Sequence, residues 1–408
     1  MEISPTASRR RVALVCYAIE QGKGSEEGSG YNFARQIAAM DYDLTLLTRP
    51  NNAALLNDDP AFANVEIVGY DPPRWKTFWK RKGFGVIPFY YLWQRGVAKL
   101  VESLHRELPF DTIHQYNFHA DWAPHFFQAD QAKIVWGPIV HHPPIPAAYY
   151  FESDRAAKTK DAMRTRVKRF FWFRDPAMKR AISRSDVIIY GNEDIAPPFA
   201  NAGDKVQVVP YGAAEVPRQD LPVPQGSFSV ISVGRFVPLK GFRPALEAFA
   251  MFSRTTDGRD AQITFVGKGP QKEELQALGR ELGIEEKMRF IPWLAQEELP
   301  ALFATAHAML YPSVESQGMV VTEATAVGTP VIAIEGTGPG LLGGEGSLKV
   351  TAQPKGKLVE RLADALMLLA KEVAHDPQAY RSRREAVQSS FMQRLTPAEV
   401  ARRISEHY

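Results

Sequence analysis

Residues 308–334 read AMLYPSVESQGMVVTEATAVGTPVIAI, and the periodicities of this stretch decide the fold. AMLYPS (308–313) is an apolar run of strand length. MVVTEATAVG (319–328) has helical spacing and stops at Gly328, the residue type suited to the left-handed turn after a helix. Pro330 then opens a second apolar run, PVIAI. Strand, turn, helix and strand in this order make a βαβ unit of a parallel sheet.

Working outward, the same alternation fills the chain. RVALVCYAI, YDLTLLT, VEIVGY, DTIHQY, AKIVWG, DVIIYG and VQVVP precede a proline-rich polar stretch, EVPRQDLPVPQGS (215–227). That stretch reads as a linker. FSVISVGR, QITFVGKG, KMRFIPW, AMLYPS, PVIAI and LKV follow it. The pattern predicts two doubly wound Rossmann-like α/β domains, 1–214 and 228–390, and 408 residues suit two cores better than one. LTPAEVARRISEHY, within 391–408, reads as a terminal amphipathic helix with Thr396 as N-cap and Pro397 at its first position.

Composition excludes several classes. The net charge of +3 is too small for a general nucleic-acid binder, and one cysteine (Cys16) rules out a disulfide framework or a cysteine zinc site. No window approaches 18 consecutive apolar residues, so no transmembrane helix is expected. The first apolar run lacks a cleavage site and reads as a strand rather than a secretion signal. A reducing cytosol is the expected compartment. Charge is unevenly spread, however. Residues 74–93 carry Arg74, Lys76, Lys80, Arg81 and Lys82 without an acid. Residues 155–174 place Arg164, Arg166, Lys168 and Arg169 before Phe170, Phe171, Trp172 and Phe173. Basic residues beside aromatic ones are the composition of a segment lying on an anionic membrane face.

In open α/β sheets ligands bind beyond the carboxyl ends of the strands. Glu315 lies on such a loop, and Glu323 falls about one turn into the following helix. A rise of about 1.5 Å per residue puts their carboxylates on the order of 10 Å apart. That is wider than the roughly 5 Å of a retaining glycosidase, and it fits a long ligand gripped twice. Between them the amides of Gly318, Met319 and Val320 form a helix N-terminus, an anion site. Carboxylate, anion hole, carboxylate matches the hydroxyls, diphosphate and ribose of a sugar nucleotide. In VGRFVPLKG (233–241), Arg235 can clamp phosphate oxygens and Lys240 adds a point charge.

VGRFVPLKGF, FVGKGP, FIPWLAQEELPALFATA and YPSVESQGMVVTEATAVGTPVIA together resemble the C-terminal domain of the family-4 retaining glycosyltransferases of GT-B fold. The resemblance implies that Glu323 holds the ribose hydroxyls. Glu315 and the backbone of Gln317–Met319 would hold the transferred sugar, with Ser316 and Gln317 influencing its choice. Arg235 and Lys240 would neutralise the leaving diphosphate, and Trp293 would lie near the base. It makes KGSEEGSGYNFARQIA (23–38) the family's glycine loop, with Gly28, Ser29 and Gly30 against the donor and the helix starting near Tyr31. It places one of His141 and His142 at the donor sugar, and it sends the final helix back to the first domain. His114, Asn117 and His119, at another strand end, are acceptor-side candidates.

The expected reaction moves a sugar from a nucleotide-diphosphate donor to an acceptor hydroxyl with retention, without metal or cofactor. The acceptor would be a glycan or lipid-linked glycan at the cytoplasmic membrane face. A nucleotide-sugar epimerase of the same fold, or a non-catalytic sugar-nucleotide-binding subunit, is the alternative. A dinucleotide site fits poorly, because about eight residues separate Ile19 from Gly28 where the fingerprint should follow its strand at once. DYD (41–43) precedes a strand where polar turn residues are expected, so it is not read as a metal motif.

Overall fold

The computed structural model describes residues 9–23, 25–79, 85–212, 223–295, 298–352 and 356–408. Each apolar run above forms a strand. They are β1 (Arg10–Cys16), β2 (Tyr42–Thr48), β3 (Glu66–Gly69), β4 (Thr112–Asn117), β5 (Lys133–Ile139), β6 (Val187–Tyr190) and β7 (Val206–Val208), then β8 (Ser229–Val233), β9 (Gln262–Val266), β10 (Met288–Ile291), β11 (Ala308–Tyr311), β12 (Val331–Ile334) and β13 (Leu348–Val350).

The first seven make one sheet in the order β3-β2-β1-β4-β5-β6-β7, and the rest a second in the order β10-β9-β8-β11-β12-β13. All pairings between these strands are parallel. Strands covered on both faces read as continuous apolar runs, and β4, β6, β11 and β12 are buried along their whole length. Both sheets follow the Rossmann order, which reverses direction beside the first strand. The crevices where ligands gather therefore lie at the carboxyl ends of β1 and β4 in one domain, and of β8 and β11 in the other. This is the two-domain GT-B architecture.

The domain boundaries are less simple than the sequence pattern. The linker, as far as Pro222, lies outside the described residues. Residues 147–154, within the first domain by sequence, dock on the second. Tyr149 sits in the second domain's core and donates to Pro312 O at 2.7 Å. Gln271 Nε2 donates to Asp154 at 2.6 Å, and Arg243 donates to Tyr150 O at 2.7 Å.

At the far end the helix Pro377–Arg394 runs through the expected boundary at 390, and Phe391 and Leu395 pack in the second domain's core. The chain then crosses back. Thr396 caps the helix Pro397–Ser405 by accepting from Glu399 N at 3.3 Å. Val400, Ala401, Ile404 and Tyr408 complete the first domain's core. Burying each large side chain there contributes about 1.5–3 kcal/mol.

Candidate functional site

The site grows from the ends of β8 and β11. After β8 the chain turns through Gly234 and Arg235, and buried Phe236 anchors it. Pro238–Lys240 form one 3-10 turn that ends at Gly241. Gly241 has φ +70, and a Cβ there would stand 2.4 Å from Pro312 O. Only glycine lets this loop seat against the end of β11.

Lys240 Nζ then reaches both oxygens of Glu315, at 2.7 and 2.6 Å, and Tyr311 Oη at 2.7 Å. Tyr311 Oη donates to Glu315 Oε1 at 2.5 Å. Burial, then the Glu315 charge, pushes the Tyr311 phenol well up, so it stays a donor. Arg235 is exposed, and its guanidinium has no ion pair among the described residues.

Beyond β11, Gly338 N donates to Glu315 O at 3.1 Å and holds the 315–318 loop in place. The helix Met319–Ala326 starts at Met319, with Gly318 at its N-cap position. Its first amides have no partner within the helix. Glu323 is 6 % exposed, one turn into that helix. Both amide atoms of Gln317 are enclosed without a partner among the described residues. Trp293 is exposed just beyond the end of β10.

The first domain faces this surface through the β5 and β6 ends. His142 Nδ1 is hydrogen-bonded to Ser316 Oγ across the domains. A Cβ on Gly191 would meet Gln317 Nε2, and one on Gly212 would meet Thr322. Burial, then the nearby Lys168 and Arg164 charges, pulls His142 down to about 3, so it is a neutral imidazole. His141 turns the other way: its Nδ1 pairs with Asp121 Oδ2 at 2.8 Å and its ring lies on Trp172. Of the two histidines, His142 is the one against the second domain.

Several expectations on the first domain need correction. The helix after β1 begins at Ser25, not near Tyr31, so Gly28, Ser29 and Gly30 lie inside its first turns. A Cβ on Gly28 would stand 1.8 Å from Lys23 O, and one on Gly30 2.3 Å from Ala18 O. Glycine at both positions lets neighbouring backbone approach this closely. Ser29 is buried with its hydroxyl 2.8 Å from Tyr116 Oη.

His114 is fully buried. Its Nε2 lies 2.6 Å from Gly137 O, so Nε2 donates, and its Nδ1 accepts from Tyr408 Oη at 2.6 Å. Asn117 is buried and ties down Ala18 through both atoms of its amide. Both are scaffold, because their polar atoms are already engaged. His119 is also buried, bonded to Tyr211 Oη through Nδ1, with Nε2 unpartnered among the described residues. The DYD carboxylates hold Arg9 and Arg11 at the foot of the sheet.

The basic aromatic segments divide. On the helix Arg155–Arg174, Lys168 and Trp172 face inward. The Lys168 ammonium lies 3.5 Å from His142 O, and burial lowers it. Met163, Arg164, Arg166, Val167, Arg169, Phe170 and Phe173 are exposed. Trp75 and Phe78 are exposed at 72 % and 83 %, while Lys80, Arg81 and Lys82 lie outside the described residues. No described helix is long and apolar enough to cross a membrane.

The sequence analysis did not single out Glu26, Asp121 or Tyr311, and it placed Lys168 on a basic surface. Asp121 lies four residues beyond the end of β4, and that position was the available signal; Glu26 lies ten residues beyond β1, inside a helix, and carries no such signal.

Residues 214–385 match the family model described as Glycosyl transferases group 1. The chain is 29% identical over 187 residues to the lipopolysaccharide core biosynthesis glycosyltransferase LpsE of Rhizobium meliloti, covering 44% of this chain and 53% of that protein. It is 33% identical over 153 residues to a GDP-mannose-dependent alpha-(1-6)-phosphatidylinositol monomannoside mannosyltransferase of Mycobacterium tuberculosis, covering 34% and 37%. The chain thus spans about half the length of these relatives or less. In overall structure it is similar to Anabaena HepE solved with UDP-glucose, with TM-score 0.54, 17% identity and coverage of 97% and 98%.

Proposed function

We propose that this chain, whose second domain matches the group 1 glycosyltransferases, moves a sugar from a nucleotide-diphosphate donor to an acceptor hydroxyl. We further propose that transfer proceeds with retention and without metal, in the making of a cell-surface glycan or glycolipid. The observation that carries the reading is the charge pattern at the β8/β11 crevice. Unpaired Arg235, the Lys240–Glu315–Tyr311 cluster and the helix start at Gly318 converge there. HepE, of the same fold, was solved with UDP-glucose bound.

In this reading the diphosphate lies on Arg235, Lys240 and the amides of Gly318, Met319 and Val320. Glu323 takes the ribose hydroxyls, and Trp293 the base. Glu315, Ser316 and Gln317 meet the sugar, and neutral His142 holds a sugar hydroxyl. The bond from the anomeric carbon to phosphate oxygen breaks and a bond to the acceptor oxygen forms on the same face. The acceptor proton passes to the departing phosphate, whose growing charge the cations and helix end stabilise. The similar proteins are named as glycosyltransferases, so the epimerase reading is not favoured.

Thermal unfolding with UDP, GDP, ADP and NAD tests the donor. At 100-fold above Kd a ligand adds about 2.7 kcal/mol. One nucleoside diphosphate is expected to raise the midpoint of the wild type and not of Glu323→Ala. A shift with NAD alone would overturn the transferase reading.

For the acceptor, the exposed Trp75, Phe78, Phe170 and Phe173 beside arginines support a site at an anionic membrane face on the cytoplasmic side. The protein is expected to co-sediment with phosphatidylglycerol vesicles at low salt and to lose that binding in Trp75→Ser/Phe78→Ser. Equal sedimentation with neutral vesicles would sink the membrane proposal.

A further inference from the structure

The first domain has its own crevice at the reversal point of its sheet, between the ends of β1 and β4. A cavity of about 230 Å³ opens there. Its walls come from three places. The first is Glu26 in the opening turn of the helix after β1. The second is Val86, Ile87 and Tyr90 at the start of the helix Val86–Glu107. The third is the segment after β4, where Phe118, Trp122 and Ala123 close the cavity. Among the described residues, Glu26 is the only charged group in an otherwise apolar lining.

Glu26 is held in place. Its Oε1 accepts from His119 N at 3.2 Å, and it stays partly exposed. The Tyr90 hydroxyl is not available to a ligand, because it donates to Asn117 O at 2.9 Å and accepts from Phe118 N at 2.6 Å. Tyr90 is therefore wall, and Glu26 is the one polar handle. A carboxyl set in an apolar pocket is costly to keep ionised, and burial pushes Glu26 up to about 7. One of its oxygens serves His119 N, and the carboxyl also lines the apolar pocket. There it suits a hydroxyl that arrives with an apolar body.

The mouth of the pocket points to the same kind of occupant. Val86 and Ile87 are exposed at its rim, and the sequence just before them carries exposed Trp75 and Phe78. An amphiphile lying at the membrane face would meet these residues first. The cavity is smaller than the ~300 Å³ at which whole small-ligand pockets begin. It therefore takes part of a molecule.

We propose that this pocket holds the acceptor end of an amphiphilic glycoside, with its apolar portion on Val86, Ile87 and Trp122 and a hydroxyl hydrogen-bonded to Glu26. The proposal rests on the transferase reading, and it assigns to that reading an acceptor class and a residue that receives it.

The probe is n-octyl β-D-glucoside, kept below its micelle concentration and titrated calorimetrically, with methyl β-D-glucoside as the chain-free control. The wild type is expected to bind the octyl compound and not the methyl one. Ile87→Glu, a change at an exposed position, is expected to weaken binding at least tenfold. Glu26→Gln is expected to weaken it several-fold. Absence of octyl glucoside binding to the wild type would overturn the proposal, and so would unchanged binding in both variants. Each preparation is also tested for the nucleoside diphosphate thermal shift, which reports on the other domain. A retained shift with variant-insensitive glycoside binding defeats this pocket and leaves the transferase reading standing. Loss of the shift in the wild type defeats the transferase reading itself.

Discussion

Charge reversal at Arg235 is expected to remove sugar transfer while leaving the protein folded. Arg235→Glu should lower kcat by about 10²–10³-fold or more, since removing one preorganised charge-stabilising group costs about that much. The opposite charge adds repulsion toward the diphosphate. The stability cost should be small, because the Arg235 side chain is exposed and packs in no core.

Lys240→Met makes an informative contrast. It also removes a cation from the proposed phosphate site, but it strips Glu315, whose side chain is only 12 % exposed, of a partner at 2.6 Å. Breaking a pair of this kind leaves a carboxylate poorly compensated. Lys240→Met should therefore lose both activity and thermal stability, whereas Arg235→Glu loses activity alone. Steady-state rates and unfolding midpoints on the two variants separate the effects. Robust transfer by Arg235→Glu would defeat the proposed mechanism.

The second large effect is acid lability. Burial holds five histidines neutral: His114 at about 4, His119 at about 3, His125 at about 3, His142 at about 3 and His307 at about 4. In the unfolded chain each titrates near 6.5. Between the two values the unfolded state binds more protons, so stability is fully present above about pH 6.5 and falls as pH drops. Each histidine removes about 1.4 kcal/mol per pH unit once its unfolded form is protonated. Glu26 acts with the opposite sign: its folded value, about 7, lies above the ordinary one, so acidification toward 4.5 favours the folded state. Burial raises Asp121 as well and lowers His407 as well, so two carboxyls oppose six histidines, and the net sign is loss. With a total stability of about 5–15 kcal/mol, the protein should unfold near pH 5. Urea midpoints between pH 7.5 and 5 on this scale should fall steeply. His114→Gln should have a shallower slope, and a flat profile would contradict the neutral-histidine account.

The strands, their order of appearance and the restart of the pattern after the proline-rich stretch were all legible in the sequence. They depend on periodicities that repeat within a few residues. The placement of the second-domain candidate residues at strand ends was legible for the same reason. Arg235 and Lys240 follow one strand, Glu315 and Glu323 follow another, and being near a strand end is a local property. The first-domain readings fared less well. His114, Asn117 and Ser29 carry polar groups at strand or helix ends, as ligand-binding residues do, yet their partners are protein. Glu26 gave no local sign of the apolar pocket around it.

The sequence by itself determined two Rossmann-like sheets, the capped terminal helix and the cationic crevice of the second domain, because short-range periodicity and strand-end position encode them. Tertiary structure alone decided which polar side chains remain free for a ligand. His114 is met by Tyr408, 294 positions away, and His142 by Ser316, 174 positions away. Lys168 turns from a basic surface run toward the His142 carbonyl. A hydrogen bond needs its partner within about 3 Å, and which distant residue arrives at that distance is fixed only when the layers pack and the last helix crosses back to the first domain.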